Sequence, residues 1–194
     1  MKTEEKILNA ATKLFKEKGY VNTTTIMIAQ EAKVSEMSVF RYFKTKENLF
    51  KMVVEKITEE SGISFFGQQM TGCIKEDLAI LAFHTLQYFA MENKMIRMML
   101  FESLHHSFLA SMILEAPKKN ILYLSQYLET QTKNGQIHCS QPEKMAELFF
   151  NTLLGYGIGP SSLQDLTPTQ KELKEKADFI SASFLQILNE RKDV

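Results

Sequence analysis

The chain has 194 residues, room for one domain of ordinary size or a small one joined to a larger one. Apolar residues make up 44%, enough for a real core and too many for a chain disordered throughout, while four prolines and eight glycines suit long helices with short joints. Formal charge sums to zero, yet residues 1–56 carry eleven Lys and Arg against seven Asp and Glu, a balance of +4, and residues 57–194 carry twelve against sixteen, a balance of −4, so the basic end could face a polyanion.

The opening predicts an amphipathic helix. Thr3 is its expected N-cap, Glu4 and Glu5 sit in the first turn, and Gly19 supplies the stop. Ile7, Leu8, Ala11, Leu14 and Phe15 recur at the spacing of one buried face. A short helix follows over about 25–32, with Thr23 to Thr25 offering caps, and then a tight joint at Lys33-Val34. A second short helix begins after Ser35 and runs to about Phe43. Thr45 can cap a fourth, starting at Lys46 and carrying Leu49, Phe50, Val53, Val54 and Ile57 inward. Gly62 and Gly67 interrupt the pattern, so a loop is expected from there to Gly72.

Everything after that loop reads as helix. Leu78, Leu81, Ala82, Leu86 and Phe89 form a stripe, followed by a Met-rich stretch from Met95 to Phe101. Pro117 suits the first turn of a helix that continues through Ile121, Leu124 and Leu128 to a stop at Gly135. Pro142 opens the next, in which Leu148 to Tyr156 is apolar nearly all round. Thr167-Pro168 reads as a cap and an N1 proline starting a last helix to about Arg191, with Leu173, Ala177, Ile180, Phe184 and Ile187 in one stripe.

Residues 25–43 have the form of a helix-turn-helix. Two short helices crossing steeply need a small residue where they touch, and Ala29 fits. Ile28, Val34 and Val39 would fill the wedge, and Phe43 would anchor the second helix, leaving its polar N-terminal side free. Gly19-Tyr20, Thr24-Thr25, Ile28-Ala29, Ala32, Val34-Ser35, Ser38, Phe40, Tyr42-Phe43, Lys46 and Leu49 together resemble the DNA-binding signature of the TetR family of transcriptional regulators, over about a quarter of the chain.

That resemblance implies roles position by position. Thr24 and Thr25 would cap the second helix and donate to phosphate. Glu36, Met37 and Ser38 would lie at the groove-facing start of the recognition helix. Phe40 stands at a usual tyrosine, Tyr42 beside the phosphates, and Lys46 at a phosphate-contacting lysine; Arg41 and Lys44 are added on charge grounds. There are departures. Lys33 replaces a usual turn glycine, Phe40 lacks the tyrosine hydroxyl, Met37 stands where glycine is common, and Glu36 would accept from cytosine.

The resemblance also implies a ligand cavity in the larger domain, a two-fold dimer built on a four-helix bundle, and ligand-driven release from DNA. Phe83, Tyr88, Met91, Met98, Phe101 and Phe108 are candidate pocket residues for a small apolar or amphipathic effector, with ordinary core as the competing reading. Phe149, Leu153, Phe179, Ile180, Ser183, Phe184 and Ile187 are candidates for the dimer interface. No metal, cofactor or catalytic set is expected. His105-His106 diverge on a helix, His138-Cys139 has no third partner in sequence, and Cys73 and Cys139 make neither a CxxC pair nor a disulfide framework. No leader is expected after Lys2 to Lys6, and Leu78 to Met91 is too short and polar to span a bilayer, which points to the cytoplasm.

The expectation is therefore an all-α protein: a three-helix helix-turn-helix domain at residues 1–50 and a larger helical ligand-binding and dimerisation domain at 51–194. Its expected role is that of a homodimeric repressor on palindromic double-stranded operator DNA, released by an effector. Two alternatives stay open: a DNA-associated architectural relative without an inducer, and a helical protein-interaction module with no nucleic-acid role.

Overall fold

The computed structural model describes residues 2–60, 70–115, 117–157, 159 and 167–189. All regular structure among them is helical: α1 (Thr3–Lys18), α2 (Thr25–Ala32), α3 (Glu36–Phe43), α4 (Lys46–Glu60), α5 (Ile74–Met91), α6 (Asn93–Ser103), α7 (Ser107–Glu115), α8 (Lys118–Lys133), α9 (Pro142–Gly157) and α10 (Gln170–Asn189). The chain divides into two compact units. A head comprises residues 1–60 and 94–113, and a body comprises residues 61–93 and 114–194. Most of the expected loop at 62–72, and the chain beyond Asn189, lie outside the described residues.

In the head, α1 buries Ile7, Ala10, Ala11, Leu14 and Phe15, and ends at Gly19, whose φ of 80° few other residues tolerate. Thr3 is not the cap. Lys2 occupies the N-cap position in extended conformation with no side-chain bond, and Thr3 is already the first helical residue. Phe15 meets Phe50 of α4 edge-on at 4.9 Å, and Ile28, Ala29, Val39, Phe43, Leu49 and Val53 complete the apolar centre on which α2 and α3 rest. Thr45 accepts from the Asn48 N–H at 3.0 Å and starts α4.

In the body, α5 packs along α10 and α8 along α9. Leu78, Leu81, Leu86, Leu124, Leu128, Leu153, Ile180 and Leu188 share the core, and Phe149 of α9 reaches Phe184 of α10 at 4.8 Å. Gly157 lets α9 approach α5 closely. A Cβ there would lie 2.7 Å from Phe89 Cγ, far inside contact distance. The buried Asp77 carboxylate accepts from the Thr71 and Gly72 amides at 2.7 and 3.2 Å, from the Thr71 hydroxyl at 3.0 Å and from the Tyr127 hydroxyl at 2.6 Å. It thereby ties the entry of α5 to α8. Burial and this carboxylate both hold the Tyr127 phenol well above its ordinary pKa.

Two expectations for the last helix need correction. The cap is Thr169, not Thr167. The Thr169 hydroxyl accepts from the Glu172 N–H at 3.3 Å while the Glu172 carboxylate accepts from the Thr169 N–H at 2.7 Å, a reciprocal box that starts the helix at Gln170 rather than Pro168. The buried stripe runs Leu173, Ala177, Ile180, Phe184 and Leu188, so Ile187, one residue earlier, is left exposed. The Met-rich stretch forms α6, and a separate helix, α7, follows a break at 104–106 that the apolar pattern does not announce.

Candidate nucleic-acid interface

The centre of the head is α3, held between two unusual joints. Its N-terminus is capped by Ser35, whose hydroxyl accepts from the Ser38 N–H at 3.3 Å and lies 2.9 Å from the Ser38 hydroxyl. The preceding turn places Lys33 in the left-handed region, φ 55° and ψ 47°, with the Val34 amide bonded to the Ala29 carbonyl at 3.0 Å. The turn thus has the geometry a glycine would adopt, adopted by a lysine. After α3, Lys44 sits at φ 66° and ψ −49°, and the Thr45 amide reaches back to the Phe43 carbonyl at 2.7 Å. That is a three-residue γ-turn, a rare and strained shape for a non-glycine residue.

Within α3 the two faces separate cleanly. Val39 and Phe43 are buried, one turn apart. Met37, Phe40 and Arg41, at the i, i+3, i+4 spacing of a single face, are exposed, as is Lys44 just past the end of the helix. The Arg41 guanidinium leans over the Tyr42 ring at 5.2 Å. Glu36 is half-buried and accepts the Thr25 hydroxyl at 2.6 Å, which locks the start of α3 to the start of α2. Thr24 caps α2 by accepting from the Met27 N–H at 3.2 Å. Its neighbour Thr23 is buried and donates to the Gly19 carbonyl at 2.7 Å.

Lys46 faces inward. Its ammonium donates to the Tyr20 and Thr23 carbonyls at 2.9 and 3.0 Å and lies 4.2 Å above the Tyr20 ring. Burial lowers its proton affinity, and Glu102 opposes that effect. The Tyr20 ring also meets Phe15, Phe50, His106 and Phe108 at 5.9, 5.1, 5.7 and 5.0 Å. Desolvation first, then the charges of Glu47 and Glu102, push its phenol up to about 12. One oxygen of Glu102, on α6, is 3.4 Å from the Val21 amide, and the other is buried with no hydrogen-bond partner among the described residues. An exposed ion pair, Lys13 to Glu31 at 2.7 Å, joins α1 to α2. It raises the lysine's pKa and lowers the glutamate's through a hydrogen bond first and the mutual charge second.

Sequence reasoning singled out Lys46 but missed the cage around it. Tyr20, Glu102 and Phe108 are 26 to 62 residues from Lys46, and no periodicity links them. Of the six candidate pocket residues, Met98, Phe101 and Phe108 belong to the head and Phe83, Tyr88 and Met91 to the body. Met91 and Phe101 are exposed, and the other four are half-buried. Of the seven candidate dimer residues, Phe149, Leu153, Ile180 and Phe184 are buried in the chain's own core. Phe179 and Ile187 are exposed, and Ser183 is half-buried between them on the same face.

Comparison with known proteins agrees with this geometry. The model for bacterial regulatory proteins of the tetR family matches residues 7–53, and the model for the C-terminal domain of AefR-like transcriptional repressors matches residues 78–186, more than half of the chain. The HTH-type transcriptional regulator YvkB of Bacillus subtilis (strain 168) is 29% identical over 163 residues, covering 84% of this chain and 85% of that protein. The HTH-type transcriptional regulator HbdR of Aromatoleum sp. (strain CIB) is 42% identical over 53 residues, 27% of this chain and 23% of that protein. Among solved structures, a TetR-family regulator from Mesorhizobium loti superposes with a TM-score of 0.79 at 22% identity, covering 95% of this chain and 96% of that one. The fatty acid degradation regulator FadR from Bacillus halodurans superposes with a TM-score of 0.76 at 21% identity, covering 98% of both. A helix held by Val39 and Phe43 with its opposite face open, inside a chain matched along both of its parts, identifies this protein as a member of the TetR family of DNA-binding transcriptional regulators.

Proposed function

We propose that the protein is a homodimeric repressor that occupies a palindromic operator and leaves it when a small apolar or amphipathic effector binds. The observation that carries this reading is the open face of α3, in which Met37, Phe40 and Arg41 stand exposed while Val39 and Phe43 hold the helix, with Lys44 exposed just beyond its end. In the division of labour we propose, residues 1–50 read DNA and residues 51–194 bind effector and partner. Met37 and Phe40 face base edges, and Glu36 and Ser38 lie beside them at the start of α3, bonded to Thr25 and Ser35. Thr24, Arg41, Tyr42 and Lys44 face phosphates, while Thr25, whose hydroxyl donates to Glu36, and Lys46, whose ammonium donates to the Tyr20 and Thr23 carbonyls, brace the start of α2 and the α1–α2 turn beneath them. Two heads related by a two-fold axis would enter major grooves about 34–36 Å apart. No described helix is long and apolar enough to cross a membrane, and we place the protein with its DNA in the cytoplasm.

The effector class is supported by the methionine-rich composition, which suits an adaptable apolar site. The structural likeness to a fatty acid degradation regulator makes acyl compounds the first to try. In the body, a cleft of about 20 Å³ lies among Leu86, Ala90, Tyr156, Gly157 and Leu173. Small-molecule sites are commonly about 300 Å³ or more, so a ligand entering there must select a more open body. The test is a duplex recovered from a random-sequence pool with the full chain, placed between a promoter and a reporter. Expression of the protein should silence the reporter, and the purified complex should hold two chains per duplex. Adding long-chain acyl compounds should lower its affinity for that duplex. One chain per duplex at saturation, or an unaffected reporter, would overturn the repressor reading.

A further inference from the structure

We infer that this regulator selects its operator through thymine 5-methyl groups, with Met37 and Phe40 as the specificity-determining residues. The inference rests on the DNA-binding reading of the head and adds the chemistry by which that head chooses a sequence.

The groove-facing surface of α3 is poor in free polar readers. Glu36, whose carboxylate could accept from cytosine, is half-buried and bonded to the Thr25 hydroxyl at 2.6 Å. The Ser38 hydroxyl is 2.9 Å from that of Ser35, inside the cap. Arg41 leans over Tyr42, and Lys44 lies beyond the end of the helix. Between these groups two large apolar side chains stand exposed, Met37 at 81% and Phe40 at 46%, one turn apart on a strip of α3 that the buried Val39 and Phe43 do not share. Neither is needed to hold the helix, because the buried face does that.

Against a major groove, such a pair meets donors and acceptors on every base except at one place. The thymine C5 methyl is the only methyl group on the groove floor of unmodified DNA and its largest apolar surface. Seating a thioether and a phenyl ring over adenine, guanine or cytosine edges desolvates polar groups without replacing their hydrogen bonds. Seating them over thymine methyls buries apolar surface on both sides. The pair therefore favours half-sites with thymines beneath Met37 and Phe40, whichever strand carries them. The surrounding cations contribute affinity that does not depend on sequence.

The test begins with a random-sequence duplex pool enriched on the full-length protein at fixed salt. The recovered duplex is then resynthesised with deoxyuridine for thymine, position by position, which deletes one methyl group and leaves the hydrogen-bonding edge intact. Fluorescence anisotropy is expected to show about a fourfold loss of affinity for each contacted methyl removed, and no loss for deoxyuridine in the spacer between half-sites. Met37→Ala and Phe40→Ala should each abolish this discrimination at one position of the half-site. Both residues are surface side chains, and the deoxyuridine series on the unaltered protein needs no variant at all. An enriched duplex bound equally well with thymine and deoxyuridine would overturn the inference while leaving DNA binding intact. The same losses in the spacer would also overturn it, since duplex shape would then be responsible. Failure to bind any duplex in a salt-dependent manner would overturn the DNA-binding reading as well.

Discussion

Lys44 occupies a backbone shape that costs a non-glycine residue about 1–3 kcal/mol. Glycine would fit the γ-turn without that strain, losing only the extra freedom it has in the unfolded chain, about 0.5–1 kcal/mol. A lysine at that point is explained if its charge is useful where the recognition helix ends, beside Arg41. The variant Lys44→Gly separates the two contributions. Thermal or urea unfolding should show a net gain of about 1 kcal/mol, while affinity for every duplex falls and the slope of log affinity against log salt becomes shallower. Unchanged salt dependence would remove Lys44 from the phosphate contacts. Lys33, in the milder left-handed region, stands where the family resemblance expects a glycine. That position was legible in the sequence, because a usual glycine site held by another residue points to the conformation it must adopt. Lys44 carried no such signal. The γ-turn there joins α3 to α4, and no local residue preference encodes it.

At the level of elements, the short helices of the head follow their sequence closely because local signals and burial agree. Thr24, Ser35 and Thr45 each accept an amide at the start of the helix they precede, and the apolar spacing behind them matches the buried face. Where two local signals competed, sequence reading chose wrongly. Thr167-Pro168 and Thr169-Gln170-Lys171-Glu172 both announce a helix start, and the second prevails because its carboxylate and hydroxyl satisfy two amides reciprocally. Thr169→Ala should therefore lower the stability of the body by about 1 kcal/mol, whereas Thr167→Ala should leave it unchanged. Equal effects in calorimetry would mean that α10 frays back beyond its box. The head's outward-facing residues were legible as a set, yet their division of work was not. That Glu36 turns to Thr25 and Lys46 to two carbonyls depends on how α1, α2 and α4 cross, which spacing alone does not determine.

For the whole molecule, the compact units do not follow chain order. The head takes back residues 94–113, so the chain passes between head and body three times. Methionine and leucine spacing in α6 reads as ordinary core and cannot say which unit it serves. The same limit applies to assembly. Phe149, Leu153, Ile180 and Phe184 have the sequence pattern of an interface and lie in the chain's own core, whereas the stripes left open are Leu148 and Tyr156 on α9 and Phe179, Ser183 and Ile187 on α10. The inner faces of these two helices meet at Phe149 and Phe184, so the open stripes are outer faces of one packed pair. Exposed aromatic and branched residues at helical spacing on a two-helix surface are what a two-fold helical interface buries. Placing carboxylates there in the double variant Phe179→Glu with Ile187→Glu should give a monomer by light scattering. Because neither side chain helps to fill the core, hydrogen exchange at Leu153 and Phe184 should be unchanged. Affinity for a full palindrome should fall about a hundredfold or more, since each head must then bind alone, while affinity for an isolated half-site is retained. A variant that stays dimeric and binds the palindrome as before would place the junction elsewhere on the body. A variant that loses half-site binding too would show that the head needs the assembled dimer to keep its shape.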